Sequence, residues 1–497
     1  MRDELVRYFE THQRLVEAPA LERILENPQP LTLARELVEA RGPESLFVTL
    51  EMVEAQIARD ASRSGGRARA VSLATSSSPK GPSAPSFALV ADGFSPLPEG
   101  RGPLEAYEAM FASRYETLSR LLRGRPEMLH ARPIAELGNA ERSAAVIAMV
   151  REVRTTPEQH HLILSVEDPS GVVELLVPHD SPAATLPYLP DEVVGLRLSL
   201  PRNRRAIARV ESVQRPDVGG AGLAHRSSRT SRVIFLSDLH IGSRSFLDDA
   251  WGRLLDFLHQ RGPSPELAAE VEHVVIAGDL VDGIGIYPGQ ERDLGIPDVF
   301  AQYRELGRRL RELPSRLNIV VIPGNHDAVC PAEPQPALPR EISADFPENV
   351  RGLGNPSTFA LDGVVIEAYH GRSFDDLIPA LPGTSYARPT DVMKRMLQMR
   401  HLAPMYGGRT PLAPMARDGL VIDPSPDILV TGHSHTFGVD LYGGTLLLNA
   451  STWQAETEYQ RMRNISPVPA HAAIVDLRTL AVSALDFLPA TAEVPAA

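Results

Sequence analysis

The sequence predicts a multidomain chain, in which a large α/β sandwich at the carboxyl-terminal end follows a small all-β barrel and an amino-terminal helical module. At 497 residues, the chain is too long for one ordinary hydrophobic core. In its second half, apolar runs of strand length end abruptly in Asp, Asn or His, as buried parallel strands do at a ligand site. In its middle, short apolar runs alternate with turn residues, which is typical of a small barrel.

The composition argues against several classes of protein. The net charge of −13 argues against a broadly basic surface, so any contact with nucleic acid would be local or shared with a partner. The only cysteine, Cys330, allows neither an internal disulfide nor a cysteine-based zinc site. The sequence contains no signal-peptide core and no apolar run of transmembrane length. We therefore expect a cytoplasmic protein with no membrane contact.

The first third of the chain predicts three segments of different character. Residues 1–60 predict a small helical interaction module, because apolar residues such as Leu5, Tyr8 and Phe9 are spaced by three and four. Residues 61–103 are rich in Ser, Gly and Pro and predict a flexible linker, because such a composition buries too little apolar surface to fold. Residues 104–131 begin with an amphipathic stretch that predicts a linking helix.

Residues 132–215 predict a barrel of the OB type. Five short apolar runs are separated by turn sequences such as DPSG at residues 168–171, and five strands in this length fit that fold. OB barrels often bind single-stranded nucleic acid, yet these runs contain few aromatic residues on which bases could stack. Nucleic-acid binding and protein docking therefore both stay open for this domain.

Residues 232–490 contain five motifs that place metal-binding side chains after apolar runs. Carboxyl ends of parallel strands are where open α/β sheets bind ligands, so we expect the five motifs to meet at one edge. The motifs are VIFLSDLH (233–240), HVVIAGDLVDG (273–283), NIVVIPGNHD (318–327), YHGRSFDD (369–376) and DILVTGHSH (427–435).

The candidate ligands in these motifs are carboxylates, an amide and imidazoles. They are Asp238, His240, Asp279, Asn325, His370, His433 and His435. This mixture suits divalent ions such as Mn²⁺, Mg²⁺, Fe²⁺ or Zn²⁺. Seven ligands are too many for one open site, whereas two ions sharing a carboxylate would use them well. Two such ions can clamp the attacking and leaving oxygens of a phosphoryl displacement.

The motif order D-x-H, G-D-x-x-D, G-N-H-D, a lone His and G-H-x-H resembles the calcineurin-like metallophosphoesterases. The resemblance implies an α/β metallophosphoesterase sandwich with two metal ions, of which one is held by Asp238, His240, Asp279 and His435. Asp279 would bridge to the second ion, whose other ligands would be Asn325, His370 and His433.

The same resemblance assigns two further catalytic roles. His326 would contact the phosphate and protonate the leaving oxygen, and Asp282 would orient and charge the His326 imidazole, as in an ordinary general-acid dyad. Arg372, which follows His370 closely, could contact a phosphate oxygen or pair with Asp375 or Asp376. Both interpretations of Arg372 stay open.

Other stretches resemble the small subunits of archaeal D-family DNA polymerases, in which an OB domain precedes a phosphoesterase domain. These stretches are residues 278–294, 324–339, 369–378 and 449–467. The resemblance implies a two-metal 3′–5′ proofreading exonuclease that acts on single-stranded or frayed DNA ends by metal-hydroxide attack, with Mn²⁺ as the expected ion. It also implies a large polymerising subunit as a partner, DNA as a second partner and, through the complex, a sliding clamp.

Two alternatives compete with this interpretation. A stand-alone phosphodiesterase acting on small molecules would need neither the barrel nor the STWQAETEYQ stretch at residues 451–460. A catalytically silent scaffold subunit would not need His326 and Asp282, because neither is required merely to hold metal.

Overall fold

The computed structural model describes residues 2–11, 15–16, 18–25, 27, 30–39, 47–48, 53, 56, 85–96, 102–139, 142–157, 160–201, 206–219, 225–462 and 466–489. The chain divides into two compact units, Met1–Ala84 and Pro85–Ala497. Within the part of the chain that is described, no helix combines the length and the apolar character needed to span a membrane.

The described part of the amino-terminal unit includes the short helices α1 (Arg2–Thr11), α2 (Ala18–Leu25) and α3 (Pro30–Glu39). It also includes a pair of two-residue parallel strands, β1 (Leu15–Val16) and β2 (Phe47–Val48). Apolar residues spaced by three and four along the helices form its core, including Leu5, Phe9, Leu21, Ile24, Leu33 and Leu37. Residues 61–84 of the predicted linker lie outside the described residues.

Residues 87–92 form a strand, although residues 61–103 were predicted to be a flexible linker. They form β3 (Phe87–Asp92), an edge strand that pairs antiparallel with β13 (Ser357–Leu361). The Phe87 ring stacks on that of Phe359 with centroids 5.9 Å apart. The strand is short and lies beside Ser- and Pro-rich sequence, and its partner is distant in the chain. Its local composition therefore did not predict it.

The next domain is a closed five-stranded barrel. Its strands are β4 (Ser143–Thr155), β5 (Leu162–Asp168), β6 (Gly171–Val177), β7 (Val193–Ser199) and β8 (Ala208–Gln214). They close in the order β4-β5-β6-β8-β7, with β6 and β8 parallel and every other pair antiparallel. Alternate side chains point inward and fill the barrel, as expected for a small closed sheet.

One helix, α4 (Pro103–Arg123), packs against the barrel and also contacts the carboxyl-terminal domain. Its Arg114 forms a fully buried ion pair with Asp418, with Nε and Oδ2 2.6 Å apart. Removing either partner would leave an uncompensated buried charge. The predicted linking helix therefore has a structural role in joining the two domains.

The carboxyl-terminal domain is built on two six-stranded sheets. The first has the order β12-β11-β10-β9-β18-β19, formed by Val350–Gly352, Asn318–Ile322, Val271–Ala277, Arg232–Leu236, His471–Asp476 and Val482–Asp486. The second has the order β16-β17-β15-β14-β13-β3, in which β16 to β14 are Gly438–Tyr442, Thr445–Asn449, Ile428–Thr431 and Val364–Ala368.

The two sheets face each other across an apolar core, and helices cover their outer faces. The helices in chain order are α5 (Asp248–Leu258), α6 (Pro265–Ala269), α7 (Val299–Glu312), α8 (Arg340–Ser343), α9 (Phe374–Ala380), α10 (Pro389–Met399) and α11 (Glu458–Met462). This is a mixed α/β sandwich, as the sequence predicted for this half of the chain.

The strand register brings the motif-bearing loops to the same edge of each sheet. Strands β9, β10 and β11 are parallel, with Leu236 opposite Ile276 and Ala277 opposite Ile322. In the second sheet, β14 and β15 are parallel, and Ala368 lies opposite Val430. The loop that follows each strand therefore starts at nearly the same level.

Candidate metal centre

Most of the candidate ligands have an unusual backbone conformation. Five of the seven lie in the left-handed region, with φ of 50° at Asp238, 51° at His240, 47° at Asp279, 66° at His433 and 56° at His435. Each such residue costs on the order of 1–3 kcal/mol, and clusters of them occur mainly at functional sites. The strand ends are therefore shaped to aim side chains at a common point.

Two glycines of the motifs allow these loops to approach each other. A Cβ on Gly278, whose φ is 95°, would lie 2.4 Å from Nδ1 of His370. A Cβ on Gly324 would lie 2.3 Å from Oδ1 of Asp279. Any larger residue at either position would push the ligand loops apart.

One group of ligand atoms comes from the first and last motifs. Nε2 of His435 lies 3.2 Å from Oδ1 of Asp238 and 3.0 Å from Nε2 of His240. Nε2 of His240 lies 3.8 Å from the same Asp238 oxygen. All three side chains are buried, and their atoms are close enough together to bind one ion.

A second group lies beside the first. Nε2 of His370 is 3.3 Å from Oδ2 of Asp279 and 3.1 Å from Oδ1 of Asn325. The same Asp279 oxygen is 3.9 Å from Nε2 of His240, which belongs to the first group. Asp279 therefore lies between the two groups, where a shared carboxylate would be needed.

The surroundings of the imidazoles fit a divalent metal. His240, His370 and His435 all direct Nε2 into the cluster, while Nδ1 contacts Asp282 Oδ1, the Ala277 carbonyl and the Gln460 amide, at 3.0, 2.9 and 2.6 Å, respectively. The contacts of His240 with a carboxylate and of His370 with a carbonyl are of the kind that holds metal-binding histidines in position. Oδ1 of Asp238 is buried and has no hydrogen-bond partner among the described residues, as expected of an oxygen reserved for a cation.

The charges in the cluster point to the same conclusion. Burial would lower the pKa of His240, but Asp238 and Asp282 raise it to about 10. Burial acts in the same direction on His370, and the charge of Asp279 raises its pKa to about 10. Burial would raise the pKa of Asp279, but the neighbouring histidines, chiefly His370, hold it below its usual range. Protons on these imidazoles thus compensate ionised buried carboxylates, a role that a bound cation would take over.

His433 is not in either group. Its Nε2 is 3.3 Å from Oδ2 of Asp375, and its backbone N–H donates to Oδ2 of Asp238. Its ring is nevertheless next to that of His370, with centroids 5.3 Å apart, and His433 lines a cavity together with His240, Asp279 and His435. Asp375 was not predicted as a site residue, although it belongs to the fourth motif.

The predicted role of Asp282 is wrong in its geometry. Its carboxylate is 3.0 Å from Nδ1 of His240, not from His326. Nδ1 of His326 instead donates to the backbone carbonyl of Asp282 at 2.8 Å. The spacing of the motif placed Asp282 beside both histidines but did not distinguish its side chain from its backbone.

This arrangement predicts the effect of replacing Asp282 by alanine. The affinity for Mn²⁺ should fall about 10- to 100-fold, because His240 loses the acceptor that orients it. Asp282→Asn, which keeps an acceptor oxygen, should recover part of that loss. The affinities can be measured by isothermal titration calorimetry. Unchanged metal affinity in Asp282→Ala would contradict the role that we assign to this carboxylate.

His326 and Arg372 both line the cavity. His326 donates its backbone N–H to Oδ1 of Asp279 and holds Nε2 3.8 Å from Oδ2 of that residue. Burial lowers the pKa of His326. Arg372 donates to the Pro331 carbonyl at 2.5 Å, and no ion pair joins it to the described Asp375.

The cavity above the cluster has a volume of about 410 Å³ and includes polar residues that the motifs did not predict. Gln454 donates to Oδ1 of Asp282 at 3.1 Å, and Gln460 contacts His435. Arg409 contributes a second, exposed guanidinium. Both glutamines belong to the stretch 449–467 that was noted for its resemblance, but glutamine has no signature that would identify it as a site residue.

A further acidic and histidine-containing cluster lies outside this cavity and involves Glu272, His273 and Asp362. Arg229 forms ion pairs with both carboxylates, and His273 lies 2.9 Å from Oδ2 of Asp362. The guanidinium already supplies the compensating charge, so this group is a structural network.

Comparisons with known proteins agree with one another. Residues 233–439 match the family model that describes the B subunits of DNA polymerases alpha and epsilon. The chain is 42% identical to the DNA polymerase II small subunit of Archaeoglobus fulgidus over 75% of each chain. It is 40% identical to the protein of that name from Methanothermobacter thermautotrophicus, over 74% of this chain and 77% of the relative.

Among solved structures, the chain is similar to a novel archaeal phosphodiesterase. The two are 12% identical, and the similarity covers 51% of this chain and 98% of the other, with a TM-score of 0.27. A score this low supports no argument about the site.

Proposed function

The chain belongs to the family of archaeal DNA polymerase II small subunits, and from this premise we propose that it is the two-metal 3′–5′ exonuclease that proofreads for a large polymerising subunit. The main support is the convergence of two buried carboxylates and three imidazole Nε2 atoms in one cluster, of which Asp279, His240 and His435 line a cavity together with His326. A subunit that served only as a scaffold would need neither the open cavity nor the oriented His326.

The residues divide into two ligand sets and a proton donor. Asp238, His240 and His435 would hold one ion, while Asn325 and His370 would hold the second with Asp279 between them. Two divalent ions, which we expect to be Mn²⁺, would supply Lewis-acid activation of water and neutralise the developing charge. We keep His433 as a ligand of the second ion, which its position beside His370 allows.

The cavity suits a single terminal nucleotide. Its volume of about 410 Å³ is in the range of small-ligand sites. Arg372 and Arg409 line it and can contact phosphate oxygens, which supports the phosphate interpretation of Arg372. Unpaired or frayed 3′ ends would therefore be the substrate, as proofreading requires.

The proposed reaction adds water across the terminal phosphodiester. The bond between phosphorus and the 3′ oxygen breaks, releasing a nucleoside 5′-monophosphate and leaving a new 3′-hydroxyl on the strand. His326 protonates the departing oxygen from Nε2, while the Asp282 carbonyl fixes its Nδ1–H. Although burial lowers the pKa of His326, an approaching phosphate anion would raise it again and so couple protonation to substrate binding.

The remaining domains fit a subunit of a larger assembly. The barrel order β4-β5-β6-β8-β7 is compatible with an OB barrel, which we propose as a docking or DNA-guiding unit. The net charge of −13 favours a DNA path that is shared with the large subunit. Contact with a sliding clamp would then be made through the complex.

Digestion of labelled DNA tests the proposal. With Mn²⁺, a 5′-labelled single strand should yield a ladder of stepwise shorter products, and a 3′-labelled strand should release its label first as a mononucleotide. His259→Ala, which alters an exposed histidine outside the cavity, should match the wild type. If the chain leaves DNA intact both alone and with the large subunit, the exonuclease proposal is wrong.

A further inference from the structure

The loop that follows the second motif places apolar side chains on the wall of a polar cavity. Ile286 and Tyr287 line the cavity, and Ile286 is 39% exposed. Ile284, on the same loop, is 48% exposed but does not line the cavity. Ligand sites commonly combine apolar and aromatic walls with a few polar groups, so Ile286 and Tyr287 can contact the apolar part of a ligand.

This loop is held firmly against the catalytic histidine. A Cβ on Gly283, whose φ is 70°, would lie 2.4 Å from the His326 carbonyl oxygen and 3.2 Å from Cδ1 of Ile286. No other residue fits there without moving one of them, so glycine at this position allows Ile286 to pack close to His326.

Gln290 joins the loop to the same network. Its Oε1 accepts from the Ile286 backbone N–H at 2.9 Å, and its Nε2 donates to the Asp282 carbonyl at 2.7 Å. That carbonyl also accepts from Nδ1 of His326. The position of Ile286 relative to His326 is therefore set by hydrogen bonds that Gln290 and the Asp282 carbonyl make.

The cavity wall thus offers two kinds of contact. The Tyr287 hydroxyl donates to Oδ2 of Asp293 at 2.9 Å, which fixes the ring beside Ile286. Arg372 and Arg409 line the same cavity and carry the charge that phosphates require. Apolar and aromatic surface is what an unpaired base requires, because every base has a face that can stack.

We infer that Ile286 and Tyr287 form a platform for the terminal unpaired base, and that this platform sets the preference for unpaired 3′ ends. The inference rests on the proposed exonuclease function and adds the part of the substrate that the metal ligands do not contact. A paired terminal base would stay stacked on its duplex neighbours and could not reach the platform.

The test compares single-stranded DNA ending in a normal nucleotide with the same strand ending in a stable tetrahydrofuran abasic nucleotide. The full chain with Mn²⁺ should hydrolyse the normal end with a kcat/KM about tenfold higher, the contribution of roughly one stacked base. Ile286→Ala and Tyr287→Leu should each reduce this ratio towards one, mainly through a higher KM on the normal end. Ile284→Ala, the matched control, should keep the wild-type ratio.

The outcomes separate the two proposals. If the wild type hydrolyses DNA but does not distinguish the two ends, or if both platform variants keep the wild-type ratio, the platform is wrong and the exonuclease proposal stands. A wild type that leaves both strands intact overturns both. Because the ratio is measured within one protein preparation, a partly unfolded variant cannot imitate the expected result.

Discussion

Replacing Asp279 by asparagine should lower the rate of DNA hydrolysis about a thousandfold. Oδ2 of Asp279 lies 3.3 Å from Nε2 of His370 and 3.9 Å from Nε2 of His240, so this one carboxylate serves both groups of candidate ligands. Removing its charge weakens both sites at once, and the loss of several kcal/mol of transition-state stabilisation corresponds to a factor of this size. Single-turnover digestion at saturating Mn²⁺ measures the effect.

The fold should survive this substitution. Asparagine has the shape of aspartate and keeps an oxygen that can accept the backbone N–H of His326, which Oδ1 of Asp279 accepts at 2.8 Å. Asp256→Asn is the matched control. Asp256 is exposed, and within the described residues its only ion pair is with Arg261, so this variant should retain the wild-type rate. Elemental analysis should find fewer bound metal ions in Asp279→Asn only. A wild-type rate in that variant would refute the shared carboxylate.

The strand-end motifs could be predicted because their signal is local. In VIFLSDLH, the apolar run fixes a buried strand and the residues after it must emerge at the sheet edge, whatever the rest of the chain does. The same holds for the strands before Asp279, Asn325 and His435. For these residues, the sequence alone was enough to expect that they meet.

The contacts around the ligands could not be predicted in the same way. Gln460 reaches His435, and Gln454 reaches Asp282, only because the chain folds back over the first sheet after β17. Strand β3 forms by pairing with β13, which is distant from it in the sequence. Such features are tertiary, and no spacing rule within a short stretch contains them.

Asp282 shows the limit most clearly. The second aspartate of the motif G-D-x-x-D lines the cavity, but its carboxylate contacts His240 and its backbone carbonyl contacts His326. Both arrangements satisfy the same spacing, so the motif alone does not decide between them. A catalytic role inferred from a motif can therefore be assigned only when the direction of the side chain is known.

Replacing His326 by glutamine should lower kcat by about 10²- to 10⁴-fold, the usual contribution of a general acid, while leaving metal affinity unchanged. Nε2 of His326 faces the cavity, and the residue is not in either proposed set of ligands. Its backbone N–H to Asp279 remains in the variant, so the loops around the metal centre should hold their positions.

A substrate with a better leaving group isolates this role. If the 3′ oxygen of the scissile bond is replaced by sulfur, the departing group needs no proton, because a thiol is far more acidic than an alcohol. The defect of His326→Gln should then shrink to within a few-fold of the wild type, whereas the defect of Asp279→Asn should persist. An equal loss on the oxygen and sulfur substrates would mean that His326 positions the phosphate without donating a proton, and the general-acid assignment would be wrong.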